Sequence, residues 1–330
     1  MATYVKRQQP LMKNTFLLKL LEPLATLASG IGKKKKLLIM IYHRVLDEPD
    51  FMRPDEVDKE RFTWQMELLS KHFNVLPLDE ALERMQNDTL PPRAICITFD
   101  DGYADNYTNA LPILQKFGLK ATFFIASGFL DGGRMWNDTV IEAVRNIHTP
   151  ILDLSEIGLG RFEAGTESQK CQAASQIIKE IKHLPFEQRD KYTSYIADRS
   201  TDLPNDLMMT NTQLKRLHRN GMEIGGHTVH HPILAKLDEK MVEREILENK
   251  KYLEELLETA LKFFAYPNGK PRTDYLSQNT EMVKNAGFLA AVSTQWNVAT
   301  KHSNIMELPR FTPWDNSPKN FISRIIWRYW

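Results

Sequence analysis

The feature of this sequence that most restricts its fold is a regular alternation of short apolar runs with segments of helical periodicity. The runs are mostly unbroken and rich in Ile, Val and Phe, which is typical of strands buried on both faces of a parallel sheet. No GxGxxG or Walker loop accompanies them, so the alternation favours a (β/α) barrel or an open α/β sheet. The predicted strands are Leu37–Tyr42, Ala94–Phe99, Ala121–Ala126, Met222–Ile224, Lys262–Tyr266 and Ala290–Ser293.

Helical periodicity is clearest in two segments between the predicted strands. Their apolar residues share one face, and Asp238 is the predicted N-cap of the second segment. From about Asp131 to Asn220 the alternation stops and the chain becomes polar and helix-forming, which predicts an insertion over one rim rather than a separate domain. The two apolar faces consist of Phe62, Met66, Leu69 and Phe73, and of Val242, Ile246, Leu253 and Leu257.

The N-terminal residues 1–36 form a separate amphipathic and basic segment, ahead of a single barrel over residues 37–330. Asn14 to Ile31 is apolar but interrupted by charges, and the lysines 33–36 follow at once, which is a poor match to a secretory signal. A short helix packed on the body or frayed is the first interpretation, with a cytoplasmic location. The alternatives are peripheral membrane contact through Phe16, Leu17, Leu20 and the lysines, and export.

Charge and cysteine content exclude several classes of protein. Lys plus Arg number 43 and Asp plus Glu number 42, so the net charge of +1 argues against a partner among the nucleic acids. A mean hydropathy of −0.41 argues against a polytopic membrane protein. Two cysteines, Cys96 and Cys171, are too few for a disulfide framework or a four-thiolate zinc site. Any metal must therefore be held by His, Asp and Glu.

Polar residues follow almost every predicted strand. His43 follows the first strand, Asp100 the second and Ser127 the third, while His227 and Asn268 follow later strands. The carboxyl ends of the strands share one face of a barrel, and barrel enzymes build their active sites there. We therefore expect these side chains to converge on one site.

Asp100 and Asp101 are adjacent carboxylates at the end of an apolar strand. They repel each other, so one of them takes up a proton unless a cation is present. A bound divalent metal resolves the conflict by taking one Asp as a ligand and leaving the other as a base, and Gly102 supplies the sharp turn. The alternative is an Asx turn that caps a helix starting near Asn106.

His227 and His231 are spaced i, i+4 directly after Gly225 and Gly226. If the segment is helical there, both imidazoles lie on one side and suit a single metal. One Asp oxygen would complete a two-His, one-carboxylate set with open positions for water and substrate. His230 points elsewhere on this interpretation.

Together, Thr98-Phe99-Asp100-Asp101-Gly102 and His227-Thr228-x-x-His231-Pro232 resemble the motifs of the polysaccharide deacetylase (NodB-homology, carbohydrate esterase 4) family. The resemblance covers about residues 37 to 315, less the insertion. It implies a distorted (β/α) barrel that hydrolyses N-acetyl or O-acetyl groups on sugars with a divalent metal, often zinc. It further implies that Asp100 is the general base and that Asp101, His227 and His231 are the metal ligands.

The later motifs depart from the best-known members of that family. The third motif commonly has an Arg ahead of a Pro-Tyr pair, whereas Phe264-Ala265-Tyr266-Pro267-Asn268-Gly269 has none. This form resembles the branch that acts on exopolysaccharide or poly-N-acetylglucosamine. We predict that Arg310, which follows Leu308-Pro309, takes the place of the missing Arg and orients Asp100, because the end of a closed barrel returns beside its first strand.

The remaining candidate residues concern the general acid and the sugar. His43 is the first candidate for the acid that protonates the leaving amine, and His302 is the second. Trp136 is a predicted rim residue, although Asn137 or Asp138 equally fits the N-cap of a helix there. The predicted substrate-binding residues are Tyr103, Trp136, Tyr266, Pro267 and Asn268.

The sequence thus predicts a hydrolase with a divalent metal, zinc for preference, that removes acetyl groups from a saccharide. Two alternatives stay open at this point. One is an amidohydrolase of the same fold that acts on a small-molecule amide. The other is a saccharide-binding relic without activity, which would have no need for both the base and the ligands.

Overall fold

The structure is a computed structural model that describes residues 23–30, 35–200 and 202–330. Most of the predicted N-terminal segment, including Phe16, Leu17 and Leu20, lies outside the described residues, and residues 23–28 are helical. Among the described residues, no helix combines the length and the apolar character that crossing a membrane requires.

The strands and helices follow each other in the alternating order that the sequence predicts. The strands are β1 (Leu37–Tyr42), β2 (Val45–Leu46), β3 (Val57–Asp58), β4 (Asn74–Val75), β5 (Ala94–Phe99), β6 (Thr122–Ile125), β7 (Ile151–Leu154), β8 (Gly160–Glu163), β9 (Glu223–Gly226), β10 (Phe263–Ala265) and β11 (Ala290–Val292). The helices are α1 (Lys59–His72), α2 (Leu78–Gln86), α3 (Leu111–Lys116), α4 (Trp136–Arg145), α5 (Glu167–Ile181), α6 (Phe186–Ala197), α7 (Asn211–Arg219), α8 (Glu239–Leu257), α9 (Ser277–Asn285) and α10 (Pro318–Tyr329). The predicted N-cap of α8 is confirmed, because the Asp238 side chain accepts a hydrogen bond from the Met241 amide.

The main sheet is parallel, with the strand order β1-β5-β6-β9-β10-β11 and β4 paired to β5. Residues 308–311 connect its two ends, since Leu308 bridges to Val292 of β11 and Phe311 bridges to Met40 of β1. The sheet is therefore curled into a half-barrel with helices around it, and the chain beyond β11 returns to β1 as the sequence predicts.

The two faces of the strands belong to two different apolar clusters. In β1, Leu38 and Met40 pack in one cluster, whereas Leu37 and Ile39 pack in the other. Both clusters also contain residues of β5, β6, β10 and β11, so each of these strands is buried on both faces. Burial on both faces explains why the strands are continuous apolar runs in the sequence.

Residues 131–220 form α4 to α7 and an antiparallel hairpin of β7 and β8, which the polar composition did not predict. A separate apolar cluster packs α4, α5, α6 and the hairpin together. Arg53, from the loop between β2 and β3, is only 7% exposed and ties this cluster to the barrel. Its guanidinium donates to Asp138 Oδ1 and Glu142 Oε1 of α4, both at 2.7 Å.

We expect Arg53→Met to destabilise the protein by about 3 kcal/mol, because it leaves two buried carboxylates of α4 without their shared cation. Urea denaturation measures this change. Arg161→Met is the matched control: Arg161 pairs with Asp153 in an exposed position, so that variant should unfold like the wild type. Equal stability of the two variants would contradict the anchoring role of Arg53.

Candidate active site

A cavity of about 280 Å³ opens at the carboxyl ends of the strands. The polar residues that follow β1, β5, β9, β10 and β11 reach it, as the sequence predicts for a barrel. Ser127, which follows β6, was wrong as a site residue, since it does not line the cavity and its hydroxyl accepts from Asn249 Nδ2 at 2.9 Å. The insertion adds a wall from α4 and the end of α5. The lining residues are His43, Glu56, Asp100, Asp101, Tyr103, Met135, Trp136, Asn137, Ile178, Lys182, His227, His231, Asn268 and Thr294.

The two adjacent carboxylates occupy a tight turn after β5. Asp101 and Gly102 both have positive φ angles, of 75° and 95°, so the chain reverses direction within two residues. A Cβ at Gly102 would add side-chain strain at this φ and would lie 3.3 Å from Ile125. The turn directs Asp100 and Asp101 to different partners although they are neighbours in the chain.

Asp100 is paired with Arg310. The guanidinium donates to both carboxylate oxygens of Asp100 at 2.7 Å, and both residues are buried. Thr98 Oγ1 and the Ser293 carbonyl accept the remaining hydrogen bonds of Arg310. Burial raises the pKa of Asp100, but the charge and hydrogen bonds of Arg310 outweigh burial, so that the pKa lies below its usual value. The contact that we predicted between Arg310 and Asp100 is therefore present.

Asp101 faces the two histidines. Its Oδ1 lies 3.3 Å from His227 Nε2 and 3.4 Å from His231 Nε2. These three residues are the group among the described residues whose ligand atoms lie close enough to share one metal ion, within 4.8 Å of one another. Asp100 stands farther off, with its Oδ2 4.0 Å from His227 Nε2.

The hydrogen-bond chemistry of this cluster fits a bound cation. His227 Nδ1 lies 2.7 Å from the Ala265 carbonyl, which only accepts, so Nδ1 carries the proton. In neutral His227, Nε2 then carries a lone pair that faces Asp101 Oδ1. This carboxylate oxygen is buried and has no hydrogen-bond partner among the described residues. Two acceptors that face each other in a buried site require a cation between them.

The pKa shifts in the cluster favour the metal-binding protonation states of His231 and Asp101, but not that of His227. Burial lowers the pKa of His231 to about 3, which keeps its ring neutral. For Asp101, burial raises the pKa, but its contacts with His231 and His227 lower the pKa by more, so the carboxylate is ionised. For His227, burial lowers the pKa and its contacts with Asp101 and Asp100 raise it above the usual value. A cation in the cluster would take over the role of that proton.

The expectation of a helix at the histidine pair was wrong. Residues 227–233 form a loop, in which Thr228 and His231 adopt positive φ angles of 64° and 51°. This loop brings the two rings to a centroid distance of 4.8 Å without a helical turn. His230 points elsewhere, as predicted, and its Nδ1 contacts Glu245 at 2.7 Å.

Asn249 of α8 holds this loop in place. It is fully buried, its Oδ1 accepts from the His227 amide, and its Nδ2 lies within hydrogen-bond distance of the Ile125 and Thr228 carbonyls. Gly226 makes room for it, because a Cβ there would lie 2.7 Å from Asn249 Oδ1. Sequence analysis missed Asn249; a polar residue on the apolar face of α8 is the signal that marks it.

We expect Asn249→Ala to cost about 1–3 kcal/mol of stability, because it leaves buried amide and carbonyl groups without partners. The same change should weaken Zn²⁺ binding by roughly 10- to 100-fold, since it releases the backbone of His227. Calorimetric Zn²⁺ titration and urea denaturation measure the two effects. Lys251→Ala, an exposed position on the same helix, is the control, and wild-type Zn²⁺ affinity in Asn249→Ala would contradict the positioning role.

His43 lines the cavity, whereas His302 does not. His302 is exposed close to Ala299, and Ala299 pairs with Leu37 at the start of β1, which is the end of the sheet opposite the cavity. His302 was therefore wrong as a candidate general acid. Glu56 lies beside His43 in the cavity wall, and burial raises the pKa of Glu56.

The predicted sugar-binding residues divide into two groups. Tyr103, Trp136 and Asn268 line the cavity, although the Tyr103 hydroxyl is already bonded to Asp138 at 2.9 Å. Tyr266 and Pro267 are buried, and the Tyr266 hydroxyl donates to the Met306 carbonyl, so the prediction that they bind substrate was wrong. They support the strand end from behind.

The predicted N-cap of α4 was also wrong. Neither Asn137 nor Asp138 caps the helix, because α4 begins at Trp136 with Met135 as its N-cap residue. Asp138 is instead buried against Arg53, while Asn137 lines the cavity. Sequence analysis did not find Glu56 or Lys182, since Glu56 lies in a loop and Lys182 in the insertion, and only tertiary packing brings them here.

A parallel half-barrel with a carboxylate pair and two histidines at the carboxyl ends of its strands defines an α/β-barrel hydrolase. The chain belongs to the polysaccharide deacetylase family, whose sequence model matches residues 87–149 and 171–290. The resemblance that rests on the two motifs is thereby confirmed, together with the barrel fold. As a member of this family the protein is a hydrolase that acts on carbon–nitrogen bonds other than peptide bonds.

Individual relatives agree with this assignment. The chain is 24% identical over 269 residues to the poly-β-1,6-N-acetyl-D-glucosamine N-deacetylase of Staphylococcus aureus (strain N315), which covers 81% of this chain and 71% of the relative. Among solved structures it is similar in fold to the deacetylase PplD of Streptococcus pyogenes in complex with acetate, with a TM-score of 0.60, 20% identity, and coverage of 88% of this chain and 99% of PplD. It is also similar to IcaB of Ammonifex degensii, with a TM-score of 0.56, 18% identity, and coverage of 91% and 98%.

Proposed function

We propose that this protein is a divalent-metal-dependent N-deacetylase of an acetylated polysaccharide, with Zn²⁺ as the preferred metal. The observation that carries the proposal is the cluster of Asp101, His227 and His231, in which a buried carboxylate oxygen without a hydrogen-bond partner faces two imidazole nitrogens. Beside it stands a second carboxylate, Asp100, which Arg310 keeps ionised. Hydrolysis of an amide by an activated water requires a set of metal ligands and, next to it, an ionised carboxylate that accepts a proton.

Two observations support a saccharide amide as the substrate. The similar Staphylococcus aureus proteins are named for N-deacetylation of poly-β-1,6-N-acetyl-D-glucosamine, which favours N-acetyl over O-acetyl groups. The insertion adds a wall to the cavity, in which the half-buried Trp136 offers an aromatic surface to a sugar ring. A small-molecule amide would not need this wall.

Each residue of the site has a distinct part in the proposed reaction. Asp101, His227 and His231 would hold the metal, which when bound supplies Lewis-acid stabilisation of the developing oxyanion and lowers the pKa of a water. Asp100 takes a proton from the attacking water on a carboxylate oxygen. His43, across the cavity, donates a proton to the departing amine, so that acetate and a free amino sugar leave.

We expect His227→Ala and His231→Ala to lose both the bound metal and acetate release from N-acetylated chito-oligosaccharides, since two remaining ligands hold a divalent ion poorly. Asp100→Asn should keep the metal and lose turnover by at least about 100-fold, because only the base is removed. Metal analysis of the purified variants and an acetate assay measure the two properties separately.

His302→Ala is the control for the histidine variants, because His302 is exposed at the opposite end of the barrel. Loss of metal in Asp100→Asn with retention in Asp101→Asn would reverse the roles of the two carboxylates. A wild-type protein that binds metal and releases acetate only from small amides would replace the polysaccharide by the small-molecule alternative. Absence of both metal and turnover would leave the saccharide-binding relic.

We expect Arg310→Met to lower kcat and to move the acidic limb of the pH–rate profile to higher pH. Arg310 lowers the pKa of Asp100, and only ionised Asp100 accepts the proton; without Arg310 the carboxylate protonates at a higher pH, so activity is lost earlier as pH falls. Arg310→Lys, which keeps the charge but loses the paired donors, should lie between the two. Metal content near that of the wild type shows that the variants are folded, and an unchanged pH profile would contradict the role of Arg310.

A further inference from the structure

A second cavity adjoins the first at Trp136. It has a volume of about 240 Å³ and is lined by Trp136 and Thr139 of α4, by Phe186, Arg189 and Thr193 of α6, and by Arg134 in the loop before α4. Trp136 lines both cavities, so the two are neighbours. A glycan that extends from the acetylated sugar over the insertion reaches this second cavity.

Arg189 in this cavity is a buried charge without a counter-ion. Three arginines are buried among the described residues, namely Arg53, Arg189 and Arg310. Arg53 pairs with two carboxylates and Arg310 with one, whereas Arg189, a residue only 4% exposed, makes no ion pair and no side-chain hydrogen bond with any described residue. A buried cation without a counter-ion is costly, and a bound anion would offset that cost.

The surroundings of Arg189 stabilise the cation only partly. Its guanidinium carbon lies 4.9 Å from the ring centroid of Trp136 and 5.6 Å from that of Phe186, and both contacts are cation–π interactions that leave the hydrogen-bond donors free. Asp190 is the next residue of α6, but it is exposed and successive helical side chains do not face each other. Asp190 therefore acts on the charge of Arg189 without an ion pair: it raises the pKa of the guanidinium, while burial lowers that pKa and outweighs it.

A second arginine increases the positive charge of the cavity. Arg134 donates through Nη1 to the Pro204 carbonyl, and its buried Nε has no hydrogen-bond partner among the described residues. The hydroxyls of Thr193 and Ser194 also border the cavity, as does His230, whose Nδ1 is occupied by Glu245. Two arginines against one exposed carboxylate, that of Asp190, make the cavity complementary to an anion.

We infer that this cavity binds an oxyanion, a carboxylate or phosphate carried by the glycan, on the guanidinium of Arg189. The inference rests on the proposed function for its link to a glycan, and it specifies the substrate class: an acetylated polysaccharide with an acidic substituent near the sugar that is deacetylated. The paired N–H groups of a guanidinium match both oxyanions. The site recognises the substrate and takes no part in the hydrolysis.

The direct test is calorimetric titration of the full chain with D-glucuronate, with inorganic phosphate and with D-glucose as the neutral match. We expect one of the two anions to bind with a stoichiometry of one and glucose not to bind. Arg189→Met should weaken that binding at least about tenfold, and Arg189→Lys should weaken it less. Arg199→Met, an exposed arginine two residues beyond α6, is the matched control and should bind like the wild type.

The outcomes separate cleanly. Binding of glucuronate alone assigns the site to a carboxylate, and binding of phosphate alone assigns it to a phosphate ester. Equal binding by the wild type and both Arg189 variants, or no binding of either anion, overturns the inference. If the anions bind at the metal cluster instead, the Arg189 variants will bind them as the wild type does, and this result also overturns the inference. Wild-type unfolding curves for Arg189→Lys show that lost binding is not lost structure.

A turnover arm distinguishes this inference from the proposed function. We expect the ratio of kcat/KM for a uronate-containing acetylated oligosaccharide to kcat/KM for a neutral chito-oligosaccharide to fall about tenfold in Arg189→Met, through KM, and to stay at the wild-type value in Arg199→Met. Anion binding without acetate release from either substrate refutes the proposed function and leaves the anion site standing. Acetate release with no anion binding refutes the anion site and leaves the proposed function standing.

Discussion

The site depends on the ion pair between Arg310 and Asp100. Two carboxylates that follow one another at the end of a buried strand cannot both remain ionised without cations. The structure divides the problem: Arg310 neutralises Asp100, and Asp101 is left to the two histidines. Arg310 lies between Leu308, which bridges to β11, and Phe311, which bridges to β1, so the segment that joins the two ends of the sheet also carries the cation of the site. The position of Arg310 beside Asp100, and with it the ionised state of Asp100, therefore depends on the return of this segment to β1.

The sequence allowed the barrel and the centre of the site to be predicted, and the reason is local. Strands buried on both faces must be continuous apolar runs, so β1 and β5 were found with their correct bounds, and the residues after a strand must lie at its carboxyl end. The backbone at His231 was not predictable in this way: an i, i+4 spacing fits a helix, but Thr228 and His231 adopt positive φ angles in a loop. The prediction for Tyr266 was wrong for a related reason, since a residue that follows a strand points either into the cavity or away from it. The Tyr266 side chain points away, and its hydroxyl donates to the Met306 carbonyl.

What sequence reasoning could not supply are the contributions of the insertion. Lys182 is distant in the chain from the strand motifs, and nothing in its neighbourhood marks it; the packing of α4, α5 and α6 against the barrel brings it to the cavity. The buried arginines illustrate the same limit. Nothing in the sequence distinguishes Arg53 from Arg189. In the structure, two carboxylates of α4 neutralise Arg53, whereas Arg189 forms no ion pair with any described residue. Only the three-dimensional arrangement distinguishes the arginine that anchors the insertion from the one to which we assign an anion.

The distribution of burial over the site determines the direction from which a substrate arrives. Asp100 and His227 are 3% and 1% exposed and lie at the bottom of the cavity, while His43, Trp136 and Asn268 are only half-buried around its opening. A glycan therefore approaches over this rim, with its acetyl group directed down to the cluster and its chain left outside. One direction of that chain leads across Trp136 to Arg189. In the binding mode that we propose, the insertion that holds both residues acts on the parts of the substrate that do not react, physically separate from the carboxylates and histidines to which we assign the chemistry.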